Sequence, residues 1–127
     1  DYFKRINDTH GHDAGDRALC TVADAMRDAL RMEDSLFRTG GDEFAVVVPV
    51  RDEGDALRIA DRLQGAARRA QLPVSIGVAV VAGETDCRQT FARADAALYS
   101  VKRRGRGATQ LASPAPVDGA LVAGAGW

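Results

Sequence analysis

The chain has 127 residues, with 17 basic and 18 acidic side chains and a formal net charge of −1. This length suffices for one domain with its own hydrophobic core and is too short for two of ordinary size. A near-neutral charge gives no global basic field for a nucleic-acid polymer, although a single nucleotide needs only local charge. Cys20 and Cys87 lack the spacing of metal ligands, and we expect both to be free thiols. No apolar run is long enough to span a membrane, and we expect a cytoplasmic location.

The predicted elements alternate between helices and strands. Apolar residues at three- and four-residue steps predict the helices, and β-branched runs predict the strands. This order indicates an α+β fold in which helices cover a mixed sheet. In chain order the predicted elements are a helix over 16–30, strands over 35–38 and 44–48, a helix over 54–70, a strand over 73–81, a helix over 89–105 and a short strand over 109–111.

The final segment, residues 112–127, is rich in Ala, Gly and Pro and has no sustained periodicity. A segment of this composition buries too little apolar surface to fix a structure. We therefore expect a flexible tail after a domain that ends at residue 111.

Asp42 and Glu43 follow a paired glycine in the stretch RTGGDEF, at the start of an apolar run. Gly40 and Gly41 tolerate positive φ, which favours a tight hairpin there. The two adjacent carboxylates are either ordinary turn residues or ligands of a hard cation such as Mg²⁺, which would offset their repulsion. Because side chains alternate along a strand, the two carboxylates point in different directions and would have different tasks.

The stretch FKRINDTHGHDAGD, residues 3–16, is predicted to be a polar loop between two glycines, able to present backbone N–H groups to phosphate. Asn7 and Asp16 can together match guanine, since the carboxylate accepts from its N–H groups and the amide donates to its oxygen. The alternative is a plain polar loop with Asp16 as a helix N-cap. His10 and His12 have no partner at a metal-ligand step, which favours a loop or packing role for both.

Two charged pairs have both plain and functional interpretations. Lys102 and Arg106 lie four residues apart at the end of the last predicted helix, where they either complement the helix dipole or converge on a triphosphate. Arg31 and Asp34 lie three residues apart before the hairpin, and by themselves indicate a surface ion pair of little energetic weight.

Together these segments resemble the GGDEF family of diguanylate cyclases, enzymes that condense two GTP molecules into cyclic di-GMP. The resemblance covers roughly residues 1–111, and its stretches are FKRINDTHGHDAGD, RTGGDEF, VSIGVA and ADAALYSVKRRGR, in that order. It implies a ferredoxin-like core of the nucleotidyl cyclase palm type, a mixed sheet flanked by helices.

The resemblance also implies a role for each motif residue. Asp42 would bind the catalytic Mg²⁺ or Mn²⁺, and Glu43 would lie near the attacking 3′ hydroxyl as a base or second metal contact. The substrate contacts would divide between guanine and phosphates, and an inhibitory RxxD site would bind the product. The residues implied are Asn7 and Asp16 for guanine, Phe3, Lys4, Lys102 and Arg106 for phosphates, and Arg31, Asp34 and Arg62 for cyclic di-GMP.

The partners follow from the same resemblance. Each domain would hold one GTP, so catalysis requires a homodimer with facing active sites. Sensory domains usually lie upstream in this family, and an absent upstream segment could anchor the parent protein to a membrane. The alternative is an inactive receptor of the same fold that binds GTP or cyclic di-GMP, and a third possibility is a bare dimerisation module. The intact RTGGDEF favours the enzyme.

The start of the sequence departs from the family pattern. The family usually carries an Asp-x-Asp pair in the strand before the nucleotide loop, and its first Asp supplies a metal ligand. The chain begins at the second of the pair, Asp1. We therefore expect the first strand to be largely missing, which would leave strand edges unpaired. We also expect this chain alone to be weakly stable and inactive, and its parent protein to be active.

Overall fold

The computed structural model describes residues 2–83, 86–112 and 119–126. Its elements confirm the α+β fold, and the helices and strands predicted from the sequence are present within a few residues of their expected ends. None of the described helices is long and apolar enough to cross a membrane. The elements are α1 (Tyr2–His10), α2 (His12–Asp28), β1 (Ser35–Arg38), β2 (Glu43–Val50), α3 (Glu53–Arg69), β3 (Ser75–Ala82), α4 (Cys87–Arg103), β4 (Thr109–Leu111) and β5 (Gly119–Gly126).

The five strands form one sheet in the order β1-β2-β5-β3-β4. The β3–β4 pair is parallel and the other pairs are antiparallel, which confirms the mixed sheet. Strands β1 and β2 form the expected hairpin, in which Arg38 is the register partner of Phe44. The hairpin turn therefore opens at one edge of the sheet, beside the carboxyl end of β5.

Strand β5 lies at the centre of the sheet, where the sequence predicted no strand. It pairs with β2 and with β3 along its whole length, from Gly119 to Gly126. The predicted flexible tail over 112–127 is therefore wrong for residues 119–126. The prediction that a missing central strand leaves strand edges unpaired is wrong as well, because β5 pairs on both sides there. A strand inside a sheet needs hydrogen-bond partners for its N–H and C=O groups on both sides. Any segment without proline can supply these partners, because they come from its backbone and not from its side chains. Residues 113–118 lie outside the described ranges.

One face of the sheet carries the main hydrophobic core. Helices α2 and α3 cover this face with apolar side chains spaced for a helix, and alternate residues of β2 and β3 point into it. Met26, Leu63 and Ile76 are among its largest fully buried side chains. The core fixes β2 relative to α2, and thereby the hairpin relative to the N-terminal helices.

Helix α4 covers the opposite face, over β3 and β5. It approaches β3 closely because Gly77 has no side chain: a Cβ there would collide with the backbone oxygen of Ala94 and the backbone nitrogen of Leu98. This close approach brings the basic end of α4 to the hairpin edge of the sheet.

The N-terminal stretch is helical, so the loop predicted over 3–16 is wrong. Helix α1 ends at His10, Gly11 turns the chain with φ of 87°, and α2 begins at His12. Asp16 therefore lies inside α2, and the N-cap alternative is wrong as well. Phe3 and Ile6 are half-buried against the core, and this packing holds a helix whose remaining residues are mostly polar.

Candidate active site

The hairpin turn begins the site. The N–H of Thr39 donates to the carbonyl oxygen of Glu43 at 2.9 Å and closes the turn. Gly40 and Gly41 are not among the residues with positive φ, so the conformational reason predicted for them is wrong. A Cβ on Gly41 would meet nothing within 4 Å, which shows that the turn faces open space there. Neither glycine adds a side chain of its own over the turn backbone.

Arg38 holds the turn from beside it, a contact that the sequence reasoning missed. Its Nε donates to the carbonyl oxygen of Gly40 at 3.1 Å, and its Nη2 donates to that of Gly41 at 2.7 Å. In a trans peptide the N–H points opposite to the C=O. The N–H groups of Gly41 and Asp42 therefore point away from Arg38, and no hydrogen bond within the described ranges uses them.

Glu43 and Lys102 form the central contact of the site. Lys102 Nζ lies 3.3 Å from Glu43 Oε1, across 59 residues of sequence, and the lysine side chain is only 19% exposed. Asp42, which precedes Glu43 in the chain, is half-buried and forms no ion pair within the described ranges. The predicted catalytic carboxylate and the predicted phosphate-binding lysine are thus adjacent.

Asp95 is a further carboxylate at this place that the sequence reasoning did not single out. It lines a cavity of about 180 Å³ together with Thr39, Glu43 and the β5 residue Gly124. Its pKa lies above the usual value because burial disfavours the charged form, and because the Glu43 carboxylate is near. The sequence could have indicated Asp95, because it lies seven residues before Lys102 on α4. This spacing puts the two side chains on one helical face.

The predicted guanine residues lie at the junction of α1 and α2. Asn7 is half-buried, with its Oδ1 fully buried and unpartnered among the described residues, and Asp16 is exposed on α2. Phe3 packs toward the core near Gly15, and Lys4 is exposed. Two helices, rather than a loop, position these residues.

Arg106 lies just beyond α4 in a left-handed backbone conformation, with φ of 68°. Its N–H donates to the carbonyl oxygen of Val101 at 3.1 Å, which fixes the end of the helix. The side chain is exposed, and no contact within the described ranges joins it to the Glu43–Lys102 pair.

The three predicted product-binding residues line one groove at the far end of the sheet. Arg31, Asp34 and Arg62 border a cavity of about 890 Å³. The N–H of Arg31 donates to Asp34 Oδ2 at 2.8 Å, which fixes that carboxylate. Arg51 and Arg58 also line the groove and were missed. This groove is separate from the hairpin site.

Asp55 lies between these additional arginines. The backbone N–H of Arg51 donates to its carboxylate, and this hydrogen bond is the main reason why the pKa of Asp55 lies below its usual value. Arg58 Nη2 also donates to it at 3.3 Å. Both arginines are therefore partly engaged with Asp55, and the groove as a whole is lined by four arginines and four acidic residues.

The described residues contain no group of three His, Cys, Asp or Glu side chains that could enclose a metal ion. Magnesium in nucleotide enzymes needs fewer protein ligands, since one or two carboxylates act together with substrate phosphates and water. Asp42 and Glu43, adjacent in the chain at the hairpin turn, are two carboxylates of this kind. The described side chains at the nearby end of β5 belong to Gly124 and Ala125 and add no ligand.

Comparisons with known proteins assign this chain to one family. The family model described as "Diguanylate cyclase, GGDEF domain" matches residues 1–108. Diguanylate cyclase DosC of Escherichia coli K12 is 40% identical over 121 residues, covering 87% of this chain and 26% of the relative. The response regulator PleD of Caulobacter vibrioides is 38% identical over 120 residues, covering 85% and 26%. The chain thus spans about a quarter of the length of these relatives.

Solved structures match as well. A form of TpbB (YfiN) from Pseudomonas aeruginosa comprising only the GGDEF domain gives a TM-score of 0.80 at 38% identity, covering 89% of this chain and 72% of that one. The GGDEF domain of DgcB from Caulobacter crescentus, in complex with c-di-GMP, gives 0.77 at 29% identity, covering 87% and 72%. From the family match and these relatives, the chain belongs to the GGDEF domain family of diguanylate cyclases.

Proposed function

We propose that this domain binds GTP at the hairpin site and takes part in the condensation of two GTP molecules into cyclic di-GMP. The observation that carries the proposal is the 3.3 Å contact between Glu43 and Lys102. It brings a carboxylate suited to a metal or a hydroxyl group next to a cation suited to phosphate. The diguanylate cyclases among the relatives support the same activity.

The triphosphate would lie along the hairpin turn. The N–H groups of Gly41 and Asp42 point outward because Arg38 holds the carbonyls on the other side, and such successive donors bind anions. Lys102 supplies positive charge from α4. When the nucleotide binds, contacts with phosphate oxygens would replace the ion pair of Lys102 with Glu43. Arg106, at the exposed end of α4, would reach the outer phosphates.

The base would lie at the junction of α1 and α2, and Asp16 would accept from guanine N–H groups while Asn7 donates to its oxygen. Phe3 and Lys4 would contact phosphate through their backbone. Asp42 and Glu43 would hold Mg²⁺ or Mn²⁺, which supplies charge neutralisation at the reacting phosphate. Glu43 would also accept the proton of the attacking 3′ hydroxyl.

The reaction requires a second domain. The 3′ oxygen of each GTP attacks the α phosphorus of the other, so two copies must face each other symmetrically. The chain's part is to hold one GTP with its α phosphorus open to the partner's hydroxyl. Pyrophosphate leaves opposite the attack, toward Lys102 and Arg106.

Calorimetry with a non-hydrolysable GTP analogue and with cyclic di-GMP separates the possible functions. Binding of both ligands supports the enzyme domain, whereas dinucleotide alone would indicate a receptor and neither ligand a scaffold. Lys102→Met is expected to weaken the GTP analogue by about tenfold or more, since it removes a charge-assisted contact. Arg103→Met, a matched charge loss one residue further on α4, is the control.

Turnover is measured as cyclic di-GMP formed from GTP and Mg²⁺. We expect little product from the 127-residue chain, because Gly124 and Ala125 at the end of β5 offer no carboxylate. We expect product from a longer form that carries about 35 upstream residues, and its loss in Glu43→Gln, with Glu53→Gln as the control. Rapid product formation by the 127-residue chain would show that Asp42 and Glu43 suffice for turnover without a further carboxylate.

We further propose that the groove at Arg31 and Asp34 binds the product. Two guanidinium groups, Arg31 and Arg62, suit phosphate and the guanine edge, and the fixed Asp34 carboxylate suits guanine N–H groups. The surface pair of Arg31 with Glu33, at 3.9 Å, is weak enough to be replaced. Cyclic di-GMP bound there would lower turnover at the distant hairpin site.

Arg31→Ala tests this site. We expect cyclic di-GMP to bind at least tenfold more weakly, while the GTP analogue binds as before, because the groove and hairpin do not share residues. Arg27→Ala removes the same charge from an exposed position of α2 outside the groove and serves as the control. Unchanged dinucleotide affinity in Arg31→Ala would exclude the groove.

A further inference from the structure

Gly15 is the buried residue of α2 that touches Asn7. A Cβ built on Gly15 would overlap Asn7 Oδ1 and lie 2.8 Å from Asn7 Cγ. The carboxamide of Asn7 therefore occupies the volume that any other residue at position 15 would fill with its own side chain. Asn7 Oδ1 is fully buried in this contact.

The backbone on either side leaves Asn7 little freedom. The N–H of Gly11 donates to the carbonyl oxygen of Asn7 at 2.8 Å, and the N–H of Gly15 donates to that of Gly11 at 3.2 Å. These bonds fix the angle between α1 and α2. With both helices fixed, the Asn7 side chain is held against Gly15.

The contact also selects which end of the amide faces outward. On glycine the Cβ direction carries a Cα–H, a weak donor that favours oxygen over an NH₂ group as its neighbour. Because Oδ1 and Nδ2 diverge from Cγ in a planar amide, an Oδ1 held against Gly15 turns Nδ2 away from that residue. An outward NH₂ favours guanine, whose O6 accepts, over adenine, whose N6 donates.

We propose that Gly15 is a specificity-determining positioning residue, which holds the Asn7 carboxamide with its donor end outward and so favours guanine over adenine. The proposal deepens the nucleotide site and rests on its binding of GTP. Gly15 touches no nucleotide itself and acts through Asn7. A Cβ there would also lie 3.2 Å from Phe3 Cε2, and this contact is retained when Asn7 is replaced, so a double-mutant cycle separates the two.

The test is a double-mutant cycle with Gly15→Ala, Asn7→Ala and both together, measured with non-hydrolysable GTP and ATP analogues. The methyl group is accommodated by rotating Asn7 away, and alanine favours the helix, so Gly15→Ala is expected to stay folded. We expect this variant to bind the GTP analogue about 3- to 10-fold more weakly, which corresponds to the loss of one neutral hydrogen bond. Its affinity for the ATP analogue should stay unchanged. In the Asn7→Ala background the same change should have no effect.

Gly65→Ala is the matched control. Gly65 lies inside α3, and a Cβ there would meet only the far end of the Arg69 side chain, at 3.3 Å. We expect its affinity for both analogues to equal that of the unsubstituted chain. The proposal is overturned if Gly15→Ala leaves the preference for GTP unchanged, or if it weakens GTP equally with and without Asn7.

If the unsubstituted chain binds neither analogue, the proposed nucleotide site is wrong. Urea unfolding of the same variants then tests the contact between Gly15 and Asn7 without any nucleotide. Coupled effects of the two substitutions on the unfolding midpoint would retain Gly15 as the residue that holds Asn7. Additive effects would exclude that contact too. The two failures are therefore distinguishable.

Discussion

Strands β3 and β5 are neighbours at the centre of the same sheet, yet they are held there differently. Strand β3 contributes Ile76, Val78 and Val80 to the main core, all nearly or fully buried. Strand β5 has the sequence GALVAGAG and pairs along its full length with both neighbours. Large buried side chains anchor β3, whereas the residues of β5 whose side chains the structure describes are only Gly124 and Ala125, and the β5 backbone pairs with both neighbours. Central position and side-chain anchoring are therefore separate properties of a strand.

The largest difference is expected at the register partners Ile76 and Ala125. Ile76→Ala removes a fully buried side chain from the core and should lower the free energy of unfolding by about 2–5 kcal/mol. Ala125→Gly on β5 removes one methyl group and should lower it by only about 0.5–1 kcal/mol. Urea denaturation measures both. Equal losses would show that β5 is anchored by side chains as β3 is.

The next difference concerns a pair of facing glycines, Gly77 on β3 and Gly124 on β5. Gly77→Ala pushes a methyl group into the backbone of α4 and should lower the free energy of unfolding by about 1–3 kcal/mol. In Gly124→Ala the Cβ would lie 3.5 Å from Asp95 Oδ1 and 3.6 Å from Leu98, an ordinary contact. It should raise stability by about 0.4–1 kcal/mol. Changes of the same sign in thermal unfolding would contradict the comparison.

The smallest effect is expected at Asp95, the α4 carboxylate beside β5. Its pKa is raised by burial, so the ionised form costs stability above the folded pKa, and the cost disappears as the pH falls below the unfolded value of 3.8. Asp95→Asn should therefore raise the urea midpoint slightly at pH 7 and leave it unchanged near pH 3. Asp86→Asn would not serve as a control because Asp86 caps α4, whereas the exposed Asp24→Asn does. A gain that persists at pH 3 would show a cause other than charge.

The sequence alone determined much of this protein. Apolar periodicity predicted α2, α3 and α4, and the paired glycine before an apolar run predicted the hairpin. The motifs predicted Glu43 and Lys102 as site residues, and the structure places them in contact. These predictions depend on local patterns, in which neighbouring residues carry the signal.

Only the tertiary structure decided the rest. Helix α1 is mostly polar and is held by packing, so its own pattern indicated a loop. Backbone geometry, which residue identities do not specify, decides two further contacts. These are the contact of Gly15 with Asn7 and the hydrogen bonds of Arg38 to the turn. Strand β5 is the clearest case, because backbone N–H and C=O groups are the same in nearly every residue. Which segment fills a central position is therefore decided by the partners available in the folded chain.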